Sequence, residues 1–150
     1  MDDYQLTTHI CRTQQEMEAT DQGYWVILDG LGRNILAKLG NVELGISIRI
    51  FLRTKEDKVV GGVVADVFGQ GAHIALLWVD EPLRNKGYGS ELVNLAEQEA
   101  RKLGCTLVHT DTYGFEAMSL YKKLGYEVFG ALEDYTAGYG KYFLKKSLTK

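Results

Sequence analysis

Proline occurs once and cysteine twice in the 150 residues, and no stretch approaches the roughly 18 consecutive apolar residues of a membrane-crossing helix. The scarcity of proline excludes a proline-rich linker or an extended recognition tract. Cys11 and Cys105 lie far apart and form neither a CxxC pair nor a metal-spaced set. They exclude a disulfide scaffold and fit small buried hydrophobes in a reducing compartment, with a nucleophilic thiol as the functional rival. An excess of positive charge is also missing. Lys and Arg number 17 against 20 Asp and Glu, for a net charge of −3, and neither half of the chain is basic. That balance speaks against nonspecific nucleic-acid binding. The first twenty residues have no basic start and no continuous apolar stretch, so the sequence predicts a cytoplasmic protein with no membrane partner.

What is present is the composition of one compact domain, 45% hydrophobic and 25% charged. A chain of this size removes roughly 68–70% of its unfolded surface from water, so residues 1–150 are expected to fold as a single domain without staples. Gln5 to Arg12 is a candidate edge strand. From Gln15 to Lys38 apolar residues recur at three- and four-residue steps, predicting one or two amphipathic helices broken at Gly23 and Gly30. Ile46 to Leu52, Val59 to Phe68 and His73 to Val79, separated by the polar turn 54–58 and Gly69-Gln70-Gly71, predict a three-stranded meander. Its last strand, HIALLWV, is apolar enough to be covered on both faces.

A helix follows, with Leu92, Leu95, Ala96, Ala100 and Leu103 on one stripe, Gly104 as its stop and a Glu97–Arg101 pair one turn apart. Thr106 to Asp111 is a strand and Phe115 to Leu124 a helix ended by Gly125. Tyr126 to Leu132 and Lys141 to Leu148 are closing strands around a loop from Asp134 to Gly140. This order predicts an α/β protein of the α+β type, with a mixed, mostly antiparallel central sheet and helices on both faces.

The sharpest local signal is Arg84-Asn85-Lys86-Gly87-Tyr88-Gly89-Ser90, between an apolar strand and a helix. The first turn of a helix presents unpaired amides and a partial positive charge, and glycines let an oxyanion approach the backbone. Arg84 and Lys86 add formal charge, so the segment suits a diphosphate. A tight turn with no ligand is the competing explanation. A P-loop would need a lysine before Ser90, and a dinucleotide fingerprint a glycine at Leu92; neither is there.

Arg84-x-x-Gly87-x-Gly89 after Leu77-Trp78-Val79 resembles the acyl-CoA loop, Gln/Arg-x-x-Gly-x-Gly/Ala, of the GNAT family of N-acetyltransferases. Ala117-Met118-Ser119-Leu120-Tyr121-Lys122-Lys123-Leu124-Gly125-Tyr126 is similar to the family's AxxLYxKxGF segment, one helix and one strand downstream. The resemblance implies acetyl-CoA as co-substrate, no metal, and direct transfer of acetyl to the primary amine of a small molecule or peptide in a ternary complex. A noncatalytic acyl-CoA sensor of the same fold is the alternative. It further implies that the backbone of Leu77, Trp78 and Val79 pairs with pantetheine like an added strand. The amides from Arg84 through Asn85, Lys86, Gly87, Tyr88 and Gly89 to Ser90 would hold the diphosphate, and Tyr121 would be the acid for the departing thiolate. Gly114 stands where many members carry asparagine.

The sequence marks no single base. The central strand carries no acid, which makes Asp111 the first candidate, with a helix-capping role as its rival; His73, at the opposite end of its strand, reads as structural, Asp66 is a weaker choice still, and Glu116 reads as a solvated first-turn acid. Tyr24, Trp25, Asp29 and the loop from Asp134 to Gly140 are expected to flank an acceptor pocket suited to a cationic amine. A homodimer is the general prior.

Overall fold

The computed structural model describes residues 4–40 and 42–149. The chain divides into two compact units, Met1–Val42 and Glu43–Lys150, each described here by itself.

The first unit holds α1 (Gln14–Glu18) and α2 (Asp21–Leu39). A capping box starts α1: the Thr13 hydroxyl accepts from the Glu16 amide at 3.2 Å, and the Glu16 carboxylate accepts from the Thr13 amide at 2.9 Å. The backbone amides of Arg12 and Thr13, both donating to the Glu16 carboxylate, hold it below its usual range. Gly23 and Gly30 do not break the helix; both lie inside α2. A mid-helix glycine costs about 1 kcal/mol against alanine, too little to end 19 residues of helix. The break falls at Ala19–Thr20 instead, where the Thr20 hydroxyl donates to the Met17 carbonyl at 2.9 Å. Gln5 to Arg12 forms no strand. Leu6, Ile10 and Cys11 do not keep a two-residue period, so no face repeats along the segment.

The second unit is a six-stranded sheet in the order β1-β2-β3-β4-β6-β5. The strands are β1 (Ile46–Arg53), β2 (Val59–Phe68), β3 (Gly71–Val79), β4 (Leu107–Tyr113), β5 (Glu127–Thr136) and β6 (Tyr139–Ser147). Every pairing is antiparallel except β3 with β4. This crossover is made by α3 (Tyr88–Lys102), preceded by a short 3-10 turn (Glu81–Leu83); α4 (Met118–Lys123) joins β4 to β5. The mixed, mostly antiparallel sheet is the one expected. Alternate residues Ile48, Val63, Ala65, Val67, Ile74, Val108 and Leu144 point to one face. There they pack with Leu92, Val93, Ala96 and Ala100 of α3 and with Tyr121 of α4. Each large side chain buried this way is worth about 1.5–3 kcal/mol. Cys105 joins this core, and burial pushes its thiol pKa up, which makes it a hydrophobe and not a nucleophile.

Two boundaries differ from expectation. The predicted loop from Asp134 to Gly140 is mostly strand: β5 runs to Thr136 and β6 starts at Tyr139. Ala137 and Gly138 alone turn the chain, both with positive φ (47° and 79°), the backbone twist a tight hairpin demands. β3 is also not covered on both faces, since Leu76 is 64% and Trp78 51% exposed.

Candidate active site

β3 also parts from its neighbour midway. It pairs with β4 only from Gly71 to Ile74, against Leu107 to Thr110. The last tie is the Thr110 hydroxyl donating to the Ile74 carbonyl at 2.9 Å. At that point Ala75 is a bulge: Ile74 pairs with Ala65 and Leu76 with Val64, leaving one residue extra on β3. From there β3 follows β2, while Asp111, Thr112 and Tyr113 of β4 follow β6. The parted strands leave the backbone edge of β3 open and frame a cleft of about 250 Å³, lined by Ala75, Leu77, Asp111, Thr112, Glu116 and Tyr121 among others. A larger groove of about 530 Å³ lies between β1 and α3, beside Ile48, Leu95 and Glu99. It is more open and holds none of the candidate site residues, so the cleft is the candidate active site.

Tyr121 is placed by α4 at the buried end of that cleft, only 3% exposed. Burial pushes its phenol up to about 12, the neighbouring Thr110 hydroxyl works against this, and the charges of Asp111 and Glu116 add to it. The group therefore stays protonated throughout the working pH range.

Asp111 lies on the other face of β4 and does not cap a helix. Its Oδ1 accepts from Nε2 of His73 at 3.2 Å, and its Oδ2 from Nζ of Lys141 at 3.1 Å. Desolvation alone would raise its carboxyl, but the hydrogen bonds and charges of Lys141 and His73 outweigh it and leave the pKa below the ordinary value. His73 also stacks on His109, with ring centroids 4.8 Å apart. Burial first, and then His73, push the His109 pKa down. Asp66 is the cross-strand partner of His73 on β2, and Glu116 lines the cleft. The sequence reading placed His73 away from the chemistry. Its contact with Asp111 depends on the parallel register of β3 and β4, which no local pattern encodes.

The segment from Arg84 to Ser90 is the approach to α3. Gly87 caps the helix at φ 90°, where a side chain is strained, and Asn85 also has positive φ. No side chain caps α3, so the amides of its first turn keep free donors. Arg84 and Lys86 are exposed beside them. Arg84 also donates from Nε to the Val79 carbonyl at 2.9 Å, tying the loop to the end of β3. The two glycines differ in use: a Cβ at Gly87 would meet open space, whereas one at Gly89 would lie 3.1 Å from Leu120 of α4. Gly87 thus serves the turn and Gly89 the packing of α3 on α4. An uncapped helix start, two free cations and an open strand edge fit an elongated molecule with a phosphorylated end and an amide-bearing arm.

Comparison with known proteins gives the family. The model of the acetyltransferase (GNAT) family matches residues 9–126. The chain is 37% identical over 92 residues to blasticidin-S acetyltransferase of Streptomyces morookaense, covering 61% of this chain and 68% of that protein. It is 31% identical over 120 residues to an acetyltransferase of Agrobacterium fabrum, covering 80% and 87%. The crystal structure of an acetyltransferase from Bacillus cereus matches 93% of this chain and 97% of its own with a TM-score of 0.75 at 31% identity. The chain belongs to the acetyltransferase (GNAT) family, and it is an acetyl-CoA-dependent N-acetyltransferase. Among the described residues no helix is long and apolar enough to cross a membrane.

Proposed function

We propose that residues 1–150 act as one cytoplasmic acyltransferase domain that moves acetyl from acetyl-CoA to the primary amine of a small molecule, by direct attack in a ternary complex. The observation that carries this reading is the parting of β3 from β4, with a protonated phenol at its buried end and an ionised carboxylate on the opposite face. Pantetheine adds as a strand along Leu77, Trp78 and Val79. The amides and cations from Arg84 to Ser90 take the diphosphate, where the helix start contributes about 0.3–1 kcal/mol per anionic contact.

An alkylamine of ordinary pKa is neutral only about once in 10³ molecules at pH 7, a handicap of roughly 4–5 kcal/mol. Asp111 draws in the ammonium and orients it. Held below the usual carboxylate range, it is the first stop for the proton on its way to solvent, not its final acceptor. The nitrogen lone pair attacks the thioester carbonyl, whose oxyanion a free amide of β3 steadies. The C–S bond then breaks, its electron pair leaving with the coenzyme A thiolate, and the nitrogen passes its remaining excess proton through solvent to that thiolate. Full proton transfer from a phenol at about 12 to a thiolate of ordinary basicity is uphill by roughly 5 kcal/mol, so Tyr121 acts by donating a hydrogen bond to the departing sulfur. Neither Cys105, which is buried, nor Cys11 is needed.

Calorimetric titration with acetyl-CoA, followed by a thiol-release assay across primary amines, tests the reading. Binding with thiol release supports it. Binding without release from any amine points to the sensor alternative, and absence of binding overturns both.

A further inference from the structure

Beside the cleft lies a group of aromatic rings that acetyl transfer itself does not require. Tyr113 and Phe115 are stacked with centroids 5.4 Å apart and planes 2° from parallel. Tyr135 leans on Tyr113 at 5.8 Å, and Tyr139 meets Phe115 edge-on at 4.8 Å. Lys141 fastens the group: its Nζ is 5.9 Å from the Tyr113 ring and 5.2 Å from that of Tyr135, while it is bonded to Asp111. The rings are thus held in place, yet Phe115 is 56% exposed and Tyr135 and Tyr139 49% each. Ordered aromatic surface left open to water has already met the entropic cost of binding.

We infer that these rings form an acceptor subsite for a planar aromatic or heteroaromatic ring carried by the amine substrate. The inference rests on the acetyl-transfer reading given above. Two further observations choose this occupant. The platform adjoins the cleft through Asp111, which lines it and lies on the same face of β4 as Tyr113, and Lys141 joins that carboxylate to the rings of Tyr113 and Tyr135. The charge is also complementary: Glu116 and Asp111, the latter shared with Lys141 and His73, line the cleft at the end where an ammonium must sit, and the rings already accommodate the Lys141 ammonium. Asp111 and Tyr113 are two residues apart on β4, about 6–7 Å, which sets the distance between amine and ring at a short spacer of about three carbons. An aliphatic polyamine would engage the carboxylates but leave the ring faces wet.

The test uses the full chain with saturating acetyl-CoA and compares phenylpropylamine, cyclohexylpropylamine and propylamine in the thiol-release assay. Phenylpropylamine is expected to show a KM about tenfold below that of propylamine and severalfold below that of the cyclohexyl compound, as ring stacking adds to apolar burial. Equal KM values for the three, or for the phenyl and cyclohexyl compounds, overturn the inference. Tyr135→Leu and Tyr139→Leu should each lower the phenyl-over-propyl ratio of kcat/KM about fivefold, while Tyr139→Phe keeps it. A loss shared equally by all three amines means a structural effect and counts against the subsite. If no amine is turned over, the acetyl-transfer reading fails by itself, and calorimetry with CoA present still decides the subsite: preferential binding of phenylpropylamine sustains it, equal binding removes it. A dimer in light scattering that Tyr139→Leu dissociates would assign the rings to a second copy of the chain and likewise overturn the inference.

Discussion

β6 carries a lysine–carboxylate contact on each of its faces, and the two serve different ends. On the core side Lys146 reaches Glu97 of α3 at 2.9 and 3.0 Å, and the Tyr126 hydroxyl donates to the same carboxylate at 3.0 Å. Glu97 is 3% exposed, and its two carboxylate oxygens are bonded to Lys146 and Tyr126. On the other side Lys141 holds Asp111, whose side chain remains about one-third exposed at the rim of the cleft. The chemistry of the bond is the same. Access to water and to a reacting molecule separates glue from site, and a strand with a two-residue period supplies both from one sequence.

The sharpest way to break this comparison is to remove the buried partner. Glu97→Ala should cost about 3 kcal/mol in chemical denaturation, because it strands the partly buried Lys146 ammonium and the Tyr126 hydroxyl without their shared acceptor. Glu97→Gln, which keeps acceptors, should cost less. Next comes a pair of phenols in edge contact, Tyr121 and Tyr126, with centroids 5.1 Å apart. Tyr121→Phe should lower thiol release about a hundredfold, the scale of one lost donor to developing charge, while leaving acetyl-CoA affinity within twofold. Tyr126→Phe should reverse the pattern, losing about 1.5–3 kcal/mol of stability from a bond to a charged group and leaving turnover nearly intact.

Asp111→Asn should raise the amine KM about tenfold, the scale of one charged contact in a partly wet site. Its pH signature has a definite sign. The Asp111 pKa is lowered, so its contribution is present above the ordinary carboxylate range and is lost only as pH falls through the lowered value. The rise of turnover between about pH 6 and 9 should therefore follow deprotonation of the amine and persist in Asp111→Asn. With Tyr121 at about 12, no alkaline fall from this phenol is expected within that range. The smallest effect belongs to the exposed pair Lys145–Glu127 at 3.9 Å, where Lys145→Ala should change stability by under about 0.5 kcal/mol.

Local pattern disclosed the meander, α3 and the loop at Gly87, because hydrophobic period, helix stop and turn chemistry are all encoded over a few neighbouring residues. The resemblance of residues 117–126 likewise pointed to Tyr121, which the fold carries to the cleft. What stayed hidden depends on pairing between distant strands. His73, Asp111 and Lys141 come from β3, β4 and β6, and their meeting requires two separate registers. The bulge at Ala75 has no local mark, since alanine fits a regular strand equally well. Glu97 read as a helix-surface pair with Arg101, but that contact is 3.6 Å and secondary to Lys146. Gly23 and Gly30 misled in the opposite direction: residue type weighed more in the reading than in the helix.

The extra residue at Ala75 changes the course of β3 without changing its partners. Deleting it would leave Leu76 still against Val64 and Leu77 against Val63, so every later side chain of β3 would keep its side of the sheet. What would go is the local bend, which falls where β3 stops pairing with β4. The gap between the two strands thus opens beside a residue that pairs with none.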